Sequence, residues 1–89
     1  MQSKSVTIIN KLGLHARAAA RFVQLASSFD CEVNICVGSK KVSGKSIMGI
    51  MMLAASKGTS VEITTAGSDE EQAMSDLEKL ILDKFGEGE

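Results

Sequence analysis

Two kinds of periodicity in the apolar residues divide the chain into strands and helices. Apolar and polar residues alternate over residues 4–9, 33–37 and 61–65, which predicts strands because successive side chains on a strand point to opposite faces. A short strand over residues 40–43 follows a Gly-Ser turn and would complete a hairpin. Apolar spacings of three and four predict helices over residues 16–28, over residues 47–56 and after residue 68.

Individual residues predict several helix boundaries. Ser46 precedes an apolar segment and is expected to be the N-cap of the second helix, with Lys57 and Gly58 at its end. Ser68, with Glu71 three residues later, matches a capping box that opens the last helix. Residues 86–89 are expected to fray at the end of the chain.

The order β-α-β-β-α-β-α predicts an α+β fold in a single domain, residues 1–89. Amphipathic helices beside alternating strands favour one sheet with the helices on one face. The other face of the sheet would meet solvent, because its positions carry polar residues: Thr7, Glu32, Asn34, Glu62 and Thr64.

The second predicted helix has more apolar residues than one core can accept. Helical spacing directs Ile50, Leu53 and Ala54 inward, which leaves Ile47, Met48 and Met51 on the outer side. Methionine side chains adapt to several partners, so these residues are candidates for a docking surface. An extended core stripe is the alternative interpretation.

Composition and charge argue against several function classes. A formal net charge of −1, with three Phe and no Trp or Tyr, is unlike a nucleic-acid-binding domain. The longest apolar run, residues 47–55, is too short to span a bilayer, and residues 1–4 are not followed by an apolar signal region. We therefore expect a cytoplasmic monomer that binds neither nucleic acid nor membrane.

The two cysteines are expected to be reduced thiols rather than a metal or redox pair. Cys31 and Cys36 lie five residues apart, which on one strand would place them on opposite faces of the sheet. No cluster of metal ligands and no glycine-rich phosphate loop accompanies them. We expect no metal and no cofactor.

The single histidine stands where a helix begins. Gly13 marks a turn and the residues from Ala16 onward favour a helix, so His15 is expected at or next to the N-cap. The first N–H groups of a helix lack internal partners and attract anions, and Arg17 adds a guanidinium. A neutral His15 imidazole could accept a phosphoryl group there, held by Arg17 and by the N–H groups of Ala16, Arg17 and Ala18. A histidine that serves only as an N-cap is the alternative.

Two motifs resemble those of the HPr family of phosphocarrier proteins of the phosphoenolpyruvate-dependent phosphotransferase system. They are Gly13-Leu14-His15-Ala16-Arg17 and the segment Gly44-Lys45-Ser46-Ile47-Met48-Gly49-Ile50-Met51, and the likeness covers nearly the whole chain. It implies an open-faced β-sandwich with antiparallel strand order 1-4-2-3 and three helices on one face. It also implies that enzyme I phosphorylates Nδ1 of His15, that Arg17 is the charge partner, and that an enzyme IIA domain is the acceptor.

The resemblance also implies a docking surface for these partners. Its members in this chain are Ala16, Ala20, Gln24, Ile47, Met48 and Met51. In this interpretation the protein is a covalent phosphoryl carrier and not a free-standing catalyst.

The chain departs from many relatives at several positions. Ala18 replaces a proline, and Gln24, Ser27 and Gly49 stand where members of the sugar branch often carry lysine. The run Ala18-Ala19-Ala20 resembles the nitrogen-related branch (NPr), which we favour over a sugar-branch HPr.

Ser46 is a candidate regulatory site as well as an N-cap. In relatives from lineages that possess an HPr kinase/phosphorylase, this serine is phosphorylated, and a phosphate at a helix N-terminus is electrostatically favourable. A plain N-cap serine is the alternative.

Two further function classes remain open. One is a purely regulatory docking protein, although relatives specialised in this way lack the histidine. The other is a small metal- or ligand-binding module.

Overall fold

Four strands and three helices, followed by a short 3-10 turn, make up the fold. A computed structural model describes residues 1–87. The elements are β1 (Gln2–Thr7), α1 (Ala16–Ser27), β2 (Glu32–Val37), β3 (Lys40–Ser43), α2 (Ile47–Met52), β4 (Ser60–Ala66), α3 (Glu70–Leu82) and the 3-10 turn Lys84–Gly86. The predicted order of elements is confirmed.

The strands form one antiparallel sheet in the order β1-β4-β2-β3. The central strand β4 pairs with β1 on one side and with β2 on the other, so that Val61 lies opposite Val6 and Ile63 opposite Ile35. These four side chains are buried under the helices, and the alternate positions on the same strands are exposed or half-buried. The predicted open-faced sandwich, with its solvated polar sheet face, is confirmed.

The strand β1 lies two residues earlier than predicted. It begins at Gln2 because this residue pairs with Thr65, and it ends at Thr7 instead of residue 9. Beyond Thr7 the chain still bonds to the segment before β4: the Ile8 N–H donates to the Thr59 carbonyl at 2.9 Å. Ile8 is fully buried although it lies outside the strand, which explains why the apolar pattern extended beyond the end of β1.

The helix α2 ends at Met52, four residues before the predicted end, so the expected Lys57-Gly58 cap is wrong. The last amides, those of Leu53 and Ala54, bond three residues back, and Ala54 adopts a left-handed conformation with φ 52°. The chain then turns so that the Ala55 carbonyl accepts the Leu14 N–H at 2.8 Å. Ile50 and Leu53 are buried as predicted, whereas Ala54 is exposed and Ala55 takes the buried position.

The predicted Ser68–Glu71 capping box is also wrong. The N-cap of α3 is Asp69, whose carboxylate accepts the backbone N–H groups of Asp30 and Cys31 at 2.8 and 2.9 Å instead of capping its own helix. The Glu70 side chain accepts the Gly67 N–H at 3.1 Å. The Asp69 carboxylate therefore makes hydrogen bonds to the chain before β2 and none to the first N–H groups of its own helix.

The chain does not fray at residues 86 and 87. Phe85 is 1% exposed and anchors the 3-10 turn in the core, and the Gly86 N–H donates to the Asp83 carbonyl at 2.9 Å. The prediction of fraying is wrong for these two residues, and its remainder, residues 88–89, lies outside the described part of the chain. The buried aromatic ring fixes the path of this segment.

The two cysteines lie immediately before β2 and within it. Cys31 is buried at the entrance to β2, Cys36 is half-buried, and both are free thiols. Burial raises the pKa of the Cys31 thiol, and its hydrogen bond to Asp69 adds to the rise.

Within residues 1–87 no group of three or more metal-binding side chains occurs. No helix in this part of the chain has the length and apolar character needed to cross a membrane.

Candidate functional site

A tight loop between β1 and α1 positions the histidine. Gly13 adopts φ 65°, which favours glycine, and its own carbonyl accepts the Asn10 side-chain amide at 2.8 Å. The next residue, Leu14, is buried and bonds to the Ala55 carbonyl. The loop is therefore attached to the segment after α2 immediately before His15.

His15 is the N-cap residue of α1, as predicted. Its backbone is extended (φ −75°, ψ 179°), and its carbonyl accepts the Ala19 N–H at 2.8 Å. The imidazole makes no capping hydrogen bond. Within residues 1–87, the N–H groups of Ala16, Arg17 and Ala18 have no backbone acceptor. The predicted donors for an anion are thus present together at the start of α1.

The imidazole instead contacts a carboxylate that sequence reasoning missed. His15 Nε2 lies 2.5 Å from Oε2 of Glu87, while Oε1 of the same carboxylate accepts the Asn10 side-chain amide at 3.0 Å. The only sequence signal was the acidic chain end, and the expected fraying of residues 86–89 concealed its importance. Nδ1 has no hydrogen-bond partner among the described residues. The two ring nitrogens therefore have different environments.

The Glu87 carboxyl is held in its ionised form. Burial by itself raises the pKa of Glu87, but hydrogen bonds from Asn10 and His15, together with the Arg17 charge and the charge that His15 carries when protonated, bring that pKa below its ordinary value. The Glu87 side chain is 11% exposed and that of His15 is 28% exposed. A partly enclosed negative charge therefore lies on the Nε2 side of the ring.

An open cleft lies in front of the histidine. Its walls combine positive charge, an apolar side chain and the start of α1: Lys11, Leu12, His15, Ala16, Arg17 and Glu87. Arg17 is exposed, and its charge contributes to the lowered pKa of Glu87. The cleft therefore combines a partly exposed imidazole with a guanidinium, as predicted for an anion site.

Ser46 caps the second helix. Its Oγ accepts the Gly49 N–H at 3.1 Å, and its carbonyl accepts the Ile50 N–H at 3.0 Å, which confirms the predicted N-cap. Ser46 is half-buried. A phosphoryl group on Oγ would remove the capping bond to Gly49 or replace it with one from a phosphate oxygen.

The outer side of α2 is apolar and exposed. Ile47, Met48 and Met51 lie there as predicted, and Met48 is 73% exposed. Met52, in α2, and Leu12, in the cleft wall, are also exposed apolar residues, which the helical spacing did not single out. On α1 the other candidate docking residues, Ala16, Ala20 and Gln24, are exposed as well. Since α1 packs against α2, both helices contribute to the helical layer that adjoins the cleft.

Replacing Ala18 with proline should preserve the phosphoryl transfer that the family resemblance implies. The proline removes one of the expected anion donors, but the N–H groups of Ala16 and Arg17 and the Arg17 guanidinium remain. Ala18 is the third residue of α1, and its N–H has no backbone acceptor within residues 1–87, so a proline ring removes no helical hydrogen bond. Because the Ala18 side chain is fully buried, we expect a change of about 1 kcal/mol in the free energy of unfolding, of either sign. Urea unfolding and a phosphoryl-transfer assay measure the two effects; loss of transfer in a correctly folded Ala18→Pro protein would contradict the prediction.

Comparisons with known proteins agree on one family. A family model described as the PTS HPr component phosphorylation site matches residues 2–83. A curated relative from Neisseria meningitidis, named phosphocarrier protein HPr, is 56% identical over 89 residues and covers 100% of both chains. The solved structure of HPr-C-His from Thermoanaerobacter tengcongensis has a TM-score of 0.94 and 49% identity, covering 98% of each chain. A second structure from that organism, described as an HPr dimer, has a TM-score of 0.79 and 49% identity, covering 98% of this chain and 100% of the other.

Proposed function

The chain belongs to the HPr family of phosphocarriers of the phosphotransferase system, and from this premise we propose that His15 is its phosphoryl acceptor. The observation that carries the proposal is the placement of a partly exposed imidazole at the open N-terminus of α1, in one cleft with Arg17. The carrier domain spans residues 1–89. It is a covalent intermediate in a transfer chain, since it holds the phosphoryl group and does not generate it.

The chemistry follows from the two ring nitrogens. The lone pair of Nδ1 attacks the phosphorus atom carried by enzyme I; a nitrogen–phosphorus bond forms as the bond to the donor breaks, and the donor keeps that electron pair. The phosphoryl oxygens then meet the N–H groups of Ala16, Arg17 and Ala18 and the Arg17 guanidinium. The same steps in reverse deliver the group to an enzyme IIA domain. This assignment is supported by the contact of Nε2 with Glu87 and by Nδ1, for which the described residues provide no hydrogen-bond partner.

The partners dock on exposed residues of α1 and α2, two helices that pack against each other. The proposed contacts are Ala16, Ala20, Gln24, Ile47, Met48 and Met51, all of which are exposed. A carrier must release each partner quickly, so a small interface of low affinity suits the function. We propose that the protein acts as a cytoplasmic monomer; a relative solved as a dimer makes gel filtration at the working concentration the appropriate check.

The acceptor is proposed to be the nitrogen-type enzyme IIA. Gln24 and Ser27 are exposed on α1 and Gly49 is half-buried in α2, so lysines common in sugar-branch members are absent from these positions. We expect that, when purified nitrogen-type and sugar-type enzyme IIA compete for the phosphorylated chain, the nitrogen-type domain is labelled faster. Faster labelling of the sugar-type domain would assign the protein to the sugar branch instead.

Regulation through Ser46 is proposed for cells that contain an HPr kinase/phosphorylase. A phosphate there would add about −1.5 to −2 charges at the N-terminus of α2, next to the docking residues Ile47 and Met48. We expect intact-mass analysis of protein isolated from its own cells to show a phosphate that survives acid, whereas phosphohistidine is lost. Ser46→Ala protein should lack the acid-stable species. Its presence in that variant would place the modification elsewhere.

Incubation with enzyme I and phosphoenolpyruvate tests the function itself. The carrier proposal predicts that one acid-labile phosphoryl group is added per chain and that the labelled chain passes the group to an enzyme IIA domain. A purely regulatory docking protein would take up no acid-labile phosphate, as would a metal- or ligand-binding module. Either negative result, obtained with a folded protein and an enzyme I active on another HPr, would refute the proposal.

A further inference from the structure

The segment after α3 turns back toward the start of α1. Phe85 is buried, and its carbonyl accepts a hydrogen bond from the Arg21 guanidinium, which connects this segment to α1. Lys84 and Phe85 both adopt left-handed backbone conformations, with φ 54° and 55°. Such conformations cost about 1 kcal/mol or more each in non-glycine residues, so the surrounding contacts must maintain them. The result of this path is that Glu87 lies against His15.

The Glu87 carboxylate is fixed at both oxygens. Oε2 contacts His15 Nε2 at 2.5 Å and Oε1 accepts the Asn10 amide at 3.0 Å. Asn10 is fully buried, and the same amide nitrogen also donates to the Gly13 carbonyl at 2.8 Å. The loop that presents His15 and the carboxylate that contacts it are therefore connected through one buried side chain.

We infer that Glu87 is a positioning residue for phosphoryl transfer: its carboxylate keeps a proton on Nε2, orients the ring so that Nδ1 faces the cleft, and stabilises the positive charge that the ring acquires. The inference rests on the proposed function. When Nδ1 attacks phosphorus, the electron pair for the new bond comes from the ring, which becomes an imidazolium while Nε2 keeps its proton. A carboxylate on Nε2 offsets that charge, as the aspartate of a catalytic triad does for its histidine.

The placement of the charges favours this role over competition for the phosphoryl site. Glu87 contacts Nε2, whereas the phosphoryl group is proposed to bind Nδ1, on the other side of the ring. Within the described residues the first N–H groups of α1 have no backbone acceptor, and Arg17 lines the same cleft, so both can meet the phosphoryl group. The pKa of Glu87 lies below its ordinary value, so the carboxylate is negatively charged at neutral pH.

The test compares the full-length wild-type chain with Glu87→Ala and Glu87→Gln variants. Glu62→Gln is the matched control, because Glu62 is exposed on β4, on the sheet face away from the helices. We expect the initial rate of phosphorylation by phosphorylated enzyme I to fall about 10- to 100-fold in Glu87→Ala, by analogy with the loss of a carboxylate that orients a metal-bound histidine. Glu87→Gln keeps an oxygen for Nε2 but loses the charge, so its rate should be intermediate.

A second readout is independent of transfer. In the unphosphorylated wild-type chain, the Nε2-bound proton should be visible by NMR as an imidazole N–H that exchanges slowly with water. This resonance should disappear in Glu87→Ala and persist in Glu62→Gln. Glu87→Gln has nearly the shape of the wild-type residue and serves as the decisive variant if Glu87→Ala does not fold.

The outcomes separate the two proposals. Equal or faster phosphorylation of the folded Glu87 variants would overturn the inference while leaving His15 as acceptor. A wild-type imidazole N–H that exchanges as fast as in Glu87→Ala would also overturn it. A wild-type chain that takes up no phosphoryl group would refute the proposed function and, with it, any role of Glu87 in transfer, even where the NMR signal shows the contact.

Discussion

Replacing His15 with alanine should abolish phosphoryl uptake and leave the fold intact. The imidazole makes no capping hydrogen bond to α1, and within residues 1–87 its polar contact is with the Glu87 carboxylate. Its loss should therefore cost about 1–2 kcal/mol of unfolding free energy, which a domain with a stability of about 5–15 kcal/mol tolerates. Intact-mass analysis after incubation with enzyme I and phosphoenolpyruvate measures the uptake, and an amide NMR spectrum reports the fold.

Ser46→Ala provides the control for this experiment. That variant loses the N-cap bond to Gly49, at a cost of about 1 kcal/mol, but should be phosphorylated by enzyme I like the wild type. Acid-labile phosphate on a His15→Ala chain would show that another residue accepts the group. A His15→Ala chain that does not fold would instead show that the imidazole has a structural role that its contacts do not predict.

Replacing Gly13 with alanine should destabilise the protein and disturb the site together. Gly13 has φ 65°, and a Cβ atom there would lie 2.5 Å from the Ala55 carbonyl oxygen and 2.8 Å from Cα of Ser56. Because these are backbone atoms, the loop must move, and the hydrogen bond from the Leu14 N–H to the Ala55 carbonyl must lengthen or break. The left-handed conformation and the lost hydrogen bond together should cost about 3 kcal/mol in urea unfolding. Phosphorylation of His15 should slow as well.

Gly38→Ala distinguishes the cost of a left-handed backbone conformation from the cost of a steric clash of the added Cβ atom. Gly38 in the β2–β3 turn has φ 59°, close to that of Gly13, but an added Cβ would meet no atom of residues 1–87 within 4 Å. This variant should lose about 1 kcal/mol, from backbone strain alone, and keep the wild-type rate of phosphorylation. Equal destabilisation by the two substitutions would show that the approach of Ala55 and Ser56 to Gly13 is unimportant.

Local patterns were sufficient for the architecture because burial repeats with the period of each element. The alternation of Val33 and Ile35, and the three-and-four spacing of Ala19, Phe22 and Ala26, correspond to side chains that are buried in the structure. The N-caps His15 and Ser46 were also predictable, since each directly precedes its helix. The strand order required the family resemblance, because a pattern within one strand does not specify its neighbours.

The errors arose where a contact across the fold decides the local structure. The end of α2 depends on the hydrogen bond from the Leu14 N–H to the Ala55 carbonyl. The start of α3 depends on the hydrogen bonds that the Asp69 carboxylate accepts from the chain before β2. Glu87 was missed for the same reason. Its contact with His15 spans 72 positions of sequence and depends on the burial of Phe85, which the expected fraying of the chain end did not anticipate.

The ring nitrogen that carries the phosphorus atom distinguishes Nδ1 of His15 from every other possible phosphoryl acceptor. Nε2 contacts Glu87, whereas Nδ1 has no hydrogen-bond partner within residues 1–87 and is proposed to face the phosphoryl donor. The measurement is an NMR spectrum of the ¹⁵N-labelled chain after phosphorylation by enzyme I, in which coupling between phosphorus and nitrogen identifies the bonded atom. We expect phosphorus on Nδ1 of His15. Phosphorus on Nε2, on another residue or on no residue would refute the proposed role of Nδ1.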